Sequence, residues 1–156
     1  MPLPFSLEQT GPTTLLVKRG FAAPPARVWR AMTDPALVLQ WMGMPDHPIT
    51  KAEIDLREGG AYRYEWRMPE GGIIGVSGTF RVLEQPGKIV QTELFDEDWT
   101  DGETVVTTLL EPVEAGTRAS VTIEYRSEQG LHMALQSGMD EGMSSTYDQL
   151  DALLAS

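Results

Sequence analysis

The stretch Ser137-Gly138-Met139-Asp140-Glu141-Gly142-Met143-Ser144-Ser145-Thr146-Tyr147-Asp148-Gln149-Leu150 decides the reading of the fold. Between Gln129 and Ala155, residues Leu135, Met139, Met143, Tyr147, Leu150 and Leu154 recur four, four, four, three and four positions apart. That is the spacing of one helical face, and Asp140, Glu141, Ser144, Asp148 and Asp151 fall off it. One long amphipathic helix is expected there. Gly138 and Gly142 oppose it, because a glycine inside a helix costs about 1 kcal/mol relative to alanine. Both sit one position from the methionine stripe. The expected offset is space, into which Tyr64, Trp66 or a ligand could approach the helix backbone.

What the helix packs against is read from the middle of the chain. Turn signals recur at Glu58-Gly59-Gly60, Pro69-Glu70-Gly71-Gly72, Gln85-Pro86-Gly87-Lys88, Asp101-Gly102 and Glu114-Ala115-Gly116. They delimit five strand-like runs: Ala61 to Met68, Ile73 to Leu83, Ile89 to Phe95, Thr104 to Glu111 and Thr117 to Tyr125. In the first, Tyr62, Tyr64, Trp66 and Met68 alternate with Arg63, Glu65 and Arg67, so one face is covered and one is wet. In the second, Ile74, Val76, Phe80 and Val82 share a face with Gly78, and in the last Ala119, Val121, Ile123 and Tyr125 do so. Two further strands are expected near Thr14 to Phe21 and Thr50 to Leu56. Between these, proline and Asp34-Pro35 mark helix starts, giving short helices over Pro25 to Thr33 and Pro35 to Trp41. The order predicts an α+β domain in which a curved antiparallel sheet of about seven strands covers its apolar face with the C-terminal helix. Residues 13–156 form that single domain, and residues 1–12 are expected to be a flexible arm.

Composition narrows the function classes. The chain has 156 residues, 41% of them hydrophobic, enough for one buried core. A net charge of −11 repels phosphate backbones, so no nucleic-acid partner is expected. No apolar run approaches 18 residues, which argues against membrane insertion, and the N-terminus lacks a signal-peptide pattern, giving a cytoplasmic location as the default. The absence of cysteine removes disulfides, thiolate metal sites and a cysteine nucleophile. Gly72, Gly75 and Gly78 do not form a phosphate-binding loop, because no Gly-Lys-Ser/Thr follows. The acidic run Asp96-Glu97-Asp98-Trp99-Thr100-Asp101-Gly102-Glu103 places its glycine seventh where a calcium loop needs it sixth, and reads as a solvated hairpin loop. His47 and His132 make no metal pair, and no Gly-x-Ser-x-Gly elbow occurs. No metal, cofactor or catalytic residue set is therefore expected.

Several stretches together carry a resemblance: Ala23-Pro24-Pro25-Ala26-Arg27-Val28-Trp29, Thr33-Asp34-Pro35, Trp41, Asp55-Leu56-Arg57-Glu58-Gly59-Gly60, Gly78, Gly116-Thr117-Arg118 and Ser137-Gly138-Met139-Asp140-Glu141-Gly142. In order and spacing, from about Leu15 to Leu154, the chain resembles the bacterial single-domain relatives of the activator of heat-shock-protein ATPase, within the START-like (SRPBCC) superfamily. The resemblance implies the helix-grip fold, with an elongated cavity between the sheet and the last helix. That fold hosts ligand carriers, cyclases, hydrolases and chaperone regulators alike, so it implies an architecture before a reaction. Where relatives often carry a second aromatic and then Gly-Pro, this chain has Trp41-Met42-Gly43-Met44, a softer mouth. The eukaryotic activator has a separate N-terminal domain for which this chain has no room, which argues against a chaperone partner.

The leading expectation is a cavity for a small apolar, aromatic or lipid-like molecule, lined by Tyr62, Tyr64, Trp66, Val76, Phe80, Gly138, Met139, Gly142 and Met143, with Trp41 near the entrance. Aromatics supply flat apolar surface and methionines adapt to shape. The same side chains could equally fill a core. Glu93 is the candidate polar group within this set. The run Val90-Gln91-Thr92-Glu93-Leu94-Phe95 does not fix which way it points, and an inward position would raise its pKa. An enzyme of cyclase, dehydratase or hydrolase type, using Glu93 or the hydroxyl of Tyr62 or Tyr64, is the alternative. A stress-related regulator, binding a protein through the outer sheet face or the acidic loop, ranks below it. An exposed edge strand leaves a homodimer open.

Overall fold

A computed structural model describes residues 2–156 and shows eight strands and four helices. Chain order is β1 (Ser6–Gln9), β2 (Thr14–Phe21), α1 (Pro25–Thr33), α2 (Pro35–Trp41), β3 (Ile49–Ile54), β4 (Ala61–Arg67), β5 (Ile73–Glu84), β6 (Lys88–Phe95), β7 (Thr104–Val113), β8 (Gly116–Glu124), α3 (Glu128–Gln136) and α4 (Met139–Leu154). The helix-grip architecture and the two short helices stand as expected. Asp34 joins those helices. Its N–H closes α1 on the Arg30 carbonyl at 2.9 Å, and its side chain accepts from the Ala36 N–H at 3.0 Å, ahead of Pro35 at the first position of α2. The Trp41 indole then donates to the Ala31 carbonyl at 2.8 Å, which locks the end of α2 against α1.

The strands form one antiparallel sheet in the order β1-β2-β8-β7-β6-β5-β4-β3. The N-terminal segment corrects the expectation of a flexible arm: Ser6–Gln9 pairs with β2, and the Gly20 N–H donates to the Leu3 carbonyl at 2.7 Å. Phe5 packs beside Tyr147, with ring centroids 6.2 Å apart, so apolar contact holds the segment as well as its ladder. In β5 the register shifts between Phe80 and Val82, and it is Leu83 that packs against the core where strict alternation predicts Val82. Beside that shift the sheet bends. The Thr79 N–H bonds the Thr92 hydroxyl at 2.9 Å in place of a ladder carbonyl, and a side chain at Gly78 would overlap the Thr92 carbonyl.

The expected single C-terminal helix is two. Ser127 caps α3 by accepting from the Gly130 N–H at 3.0 Å, and α3 ends at Gln136. Gly138 has φ of +82°, the left-handed conformation that stops one helix and opens the next. The apolar stripe survives the break because the two helices keep their faces toward the sheet: Leu131, Ala134, Tyr147, Leu150 and Leu154 are buried, and Leu135, Met139 and Met143 pack partly against the core. A β-carbon built at Gly142 meets no atom within 4 Å. No aromatic approaches the helix backbone there, which removes one of the two reasons expected for that glycine.

Candidate functional site

Between the concave face of the sheet and the helices lies a cavity of about 770 Å³. Every residue expected to line it does so except Tyr62: Trp41, Tyr64, Trp66, Val76, Phe80, Glu93, Gly138, Met139, Gly142 and Met143 all border it. Tyr62 is instead buried beneath the wall, its ring 5.2 Å from that of Tyr64 and its hydroxyl donating to the Thr92 carbonyl. That hydroxyl is committed to the bend of the sheet. Trp41 is likewise deeply buried and forms wall, not an exposed gatepost.

Strand β6 supplies the site's chemistry through its period of two. Ile89, Gln91, Glu93 and Phe95 all line the cavity, whereas Val90, Thr92 and Leu94 point the other way. Glu93 therefore faces inward, opposite Thr104 of β7. Its carboxyl has no hydrogen-bond or ion-pair partner among the described residues. It is enclosed by protein, and the part of it that remains accessible opens on the cavity. Burial pushes its pKa up from the ordinary carboxylate value to about 7. Tyr64, Tyr125 and Tyr147 are also raised, first by burial and then by the charge of Glu93. With Tyr62, raised by burial and then by the same charge, four tyrosines share the field of one carboxylate.

Other side chains that the sequence did not single out complete the wall. Trp99 belongs to the acidic loop read as solvated, yet its ring packs 5.1 Å from that of Phe95 and borders the cavity. The loop is pinned by the Asp98 carboxylate accepting from the Gly102 N–H at 2.6 Å and by Ser127 donating to Asp101 at 2.7 Å. Tyr125 and Tyr147 were legible as members of apolar faces, and parity with Ile89 and Phe95 is the signal that could have placed Glu93 and Gln91. The mouth residues Met42 and Met44 line the cavity as well. The Trp66 indole donates to the Met42 carbonyl at 3.0 Å, and Gln149 of α4 donates to the Trp41 and Gly43 carbonyls at 2.8 and 2.6 Å. The segment after α2 is thereby held against both sheet and helix.

Cations are kept on the outer face of this part of the sheet. Arg63 pairs with Asp96 at 2.7 Å and Glu65 at 2.7 Å, Lys51 reaches Glu65 at 3.7 Å, and no lysine or arginine lines the cavity among the described residues. No group of three or more His, Cys, Asp or Glu side chains comes together as a metal site among them, and no described helix is long and apolar enough to cross a membrane.

A curved antiparallel sheet gripping a C-terminal helix over a largely apolar cavity defines a START-like domain, a fold that commonly binds hydrophobic ligands. Within that class, the chain belongs to the family of activator of Hsp90 ATPase homolog 1-like proteins, whose model matches residues 22–155. The resemblance read from the sequence is borne out. A crystal structure of a Rhodobacter sphaeroides protein is 34% identical, covers 98% of this chain and 99% of its own, and superposes with a TM-score of 0.93. A Mycobacterium smegmatis protein is 31% identical over 97% of both chains, with a TM-score of 0.86. One from Nitrosomonas europaea is 26% identical over 94% of this chain and 97% of its own, with a TM-score of 0.84. No functionally curated protein matches the chain.

Proposed function

We propose that the protein binds a small, mainly apolar or aromatic molecule in the cavity between the sheet and α4. The observation that carries this reading is the cavity itself: about 770 Å³, within the range of small-molecule sites, with Tyr64, Trp66, Phe80, Met139 and Met143 in its wall and one inward carboxyl to orient a guest. The Tyr64 and Trp66 rings meet edge-on at 6.0 Å, and with Met139 and Met143 across the cavity they offer apolar surface to a ligand as well as to each other. A thermal-shift and native mass-spectrometry screen with uncharged aromatic and alkyl compounds tests it. Saturating ligand at about a hundred times Kd stabilises by about 2.7 kcal/mol, a clear rise in Tm. A broad panel that neither shifts Tm nor adds mass would end the proposal.

A second reading is favoured by Glu93 alone. A carboxyl with a pKa near 7 inside a cavity is suited to proton transfer at neutral pH, as an acid or a base on a bound substrate. Tyr64 borders the same space, whereas the Tyr62 hydroxyl is already engaged. Turnover that disappears in Glu93→Gln while the variant still takes up uncharged ligand would support this reading. Binding without turnover in the wild type supports a carrier.

A further inference from the structure

We propose that the ligand carries a protonated amine on its apolar body, and that this ammonium pairs with Glu93 among the aromatic faces of the cavity. The inference rests on the cavity being a ligand site and names the chemistry it selects.

The wall is one-sided in charge. Glu93 faces the cavity without a protein partner, and the other lining carboxylates are Asp46 and Glu141. The one basic side chain in the wall among the described residues, His47, is held by Asp46 at 2.8 Å. Several hydrogen-bond donors of the wall are turned into the protein. The indoles of Trp41 and Trp66 donate to the Ala31 and Met42 carbonyls, the Thr33 hydroxyl to the Trp29 carbonyl at 2.8 Å, and the Ser137 hydroxyl to the Ala134 carbonyl at 2.6 Å. The Tyr125 hydroxyl is directed to the Met139 sulfur at 3.7 Å. What the wall leaves to a guest is neutral donors such as the Tyr64 and Tyr147 hydroxyls, ring faces whose negative quadrupole attracts cations, and an unshared carboxylate. An anionic ligand would meet Glu93 with no cation to offset it. An ammonium supplies the missing counter-charge.

Linkage gives the pH dependence its sign. The groups facing Glu93 are Tyr62 and Tyr64 from β4, Tyr125 after β8 and Tyr147 from α4, all protonated at neutral pH. Asp46, His47 and Glu141 border the same cavity, and Glu103, ahead of β7, is paired with Arg81 at 3.5 Å. With Glu93 at about 7, an amine binding at lower pH must first displace the carboxyl proton. Amine affinity therefore rises as pH rises through that value.

The test uses a matched set of probes, biphenyl-4-ylmethylamine, biphenyl-4-ylmethanol and biphenyl-4-carboxylate, titrated calorimetrically into wild type and Glu93→Gln. In the wild type at about pH 8 the amine is expected to bind at least about tenfold more tightly than the alcohol, with the carboxylate weakest. The amine's advantage should shrink by about tenfold at about pH 6, where Glu93 is mostly protonated. In Glu93→Gln the amine should fall to the level of the alcohol and lose this pH dependence. Equal binding of amine and alcohol overturns the inference and leaves the cavity reading standing. So does an amine preference that survives in Glu93→Gln, since it then reflects the acidic surface at large. If no probe binds, the inference falls, and the broad screen decides the cavity reading. Should the variant fail to fold, the pH dependence of the wild-type preference decides alone.

Discussion

The two halves of α4 carry the same apolar stripe and do different things with it. In the C-terminal half, Tyr147, Leu150 and Leu154 are buried. The Tyr147 ring meets Phe21 edge-on at 5.8 Å and Trp41 at 6.2 Å, and Gln149 bonds the segment after α2. In the N-terminal half, Met139 and Met143 are half-buried and border the cavity, while Glu141 and Gly142 are exposed. One helical stripe thus ends in close packing at Leu150 and Leu154 and in a concave wall at Met139 and Met143, with Tyr147 at the boundary touching both. The difference lies in what stands opposite. The C-terminal half faces α1, α2 and β2, which close over it. The N-terminal half stands over the bend of β5 and β6, which draws the sheet into a bowl. Close packing is concentrated in the first region, and the proposed ligand surface lies in the second.

The largest effect that can test this division comes from truncating matched side chains. Leu150→Ala removes a fully buried side chain and should cost about 3 to 4 kcal/mol in urea denaturation. Met143→Ala, with its side chain already bordering open space, should cost less than about 1 kcal/mol. Comparable losses from both would erase the distinction between core and site.

Glu93 gives the next effect. Its folded pKa of about 7 lies above the ordinary carboxylate value of 4.5, so between those values the native state holds a proton that the unfolded chain has released. Stability from this group is full below about pH 4.5, falls as pH rises through the interval, and stays low above about pH 7. Glu93→Gln carries no such loss. The variant should be more stable than wild type by about 2 kcal/mol at about pH 8, the full shift being moderated by the cavity's access to water, with the difference vanishing below about pH 4. Paired denaturant titrations at the two pH values measure it. A wild type that matches the variant at both would place the carboxyl outside the enclosed region.

How far the sequence reaches follows the same division. Strand alternation and the helical stripe revealed the sheet, the gripping helix and most of the wall, because burial leaves a period in hydrophobicity whether the buried face meets atoms or space. The inward direction of Glu93 was not legible, since β6 mixes apolar and polar residues on both faces: Gln91 and Glu93 inward, Val90 and Leu94 outward. A cavity wall need not be uniformly apolar. Tyr62 failed for a different reason. Alternation places it beside Tyr64, but the bend at Gly78 brings the Thr92 carbonyl within its reach and removes it from the surface. The pairing of Ser6–Gln9 was missed because a four-residue edge strand is too short to show a period.

The glycines that interrupt the C-terminal stripe yield the smallest effects and the finest comparison, because they lie four residues apart and have opposite backbone requirements. Gly138 sits at φ of +82°, so Gly138→Ala forces an L-residue into the left-handed region and should destabilise by about 1 to 2 kcal/mol. Gly142 is helical, with its N–H on the Gly138 carbonyl at 3.2 Å, and nothing lies within 4 Å of an added β-carbon. Gly142→Ala should therefore raise stability by about 0.5 to 1 kcal/mol through helix propensity and a less flexible unfolded chain. The gain would separate two uses of glycine that look alike in the sequence, one fixing where the chain turns and one keeping the cavity wall low. If the second use is correct, alanine at 142 leaves affinity for biphenyl-4-ylmethanol unchanged, whereas Gly142→Leu keeps the fold but weakens that affinity by filling the edge of the cavity. A Gly142→Leu protein that binds the alcohol as tightly as wild type would assign Gly142 to the outer surface of the helix, and leave Met139 and Met143 as the contribution of α4 to the site.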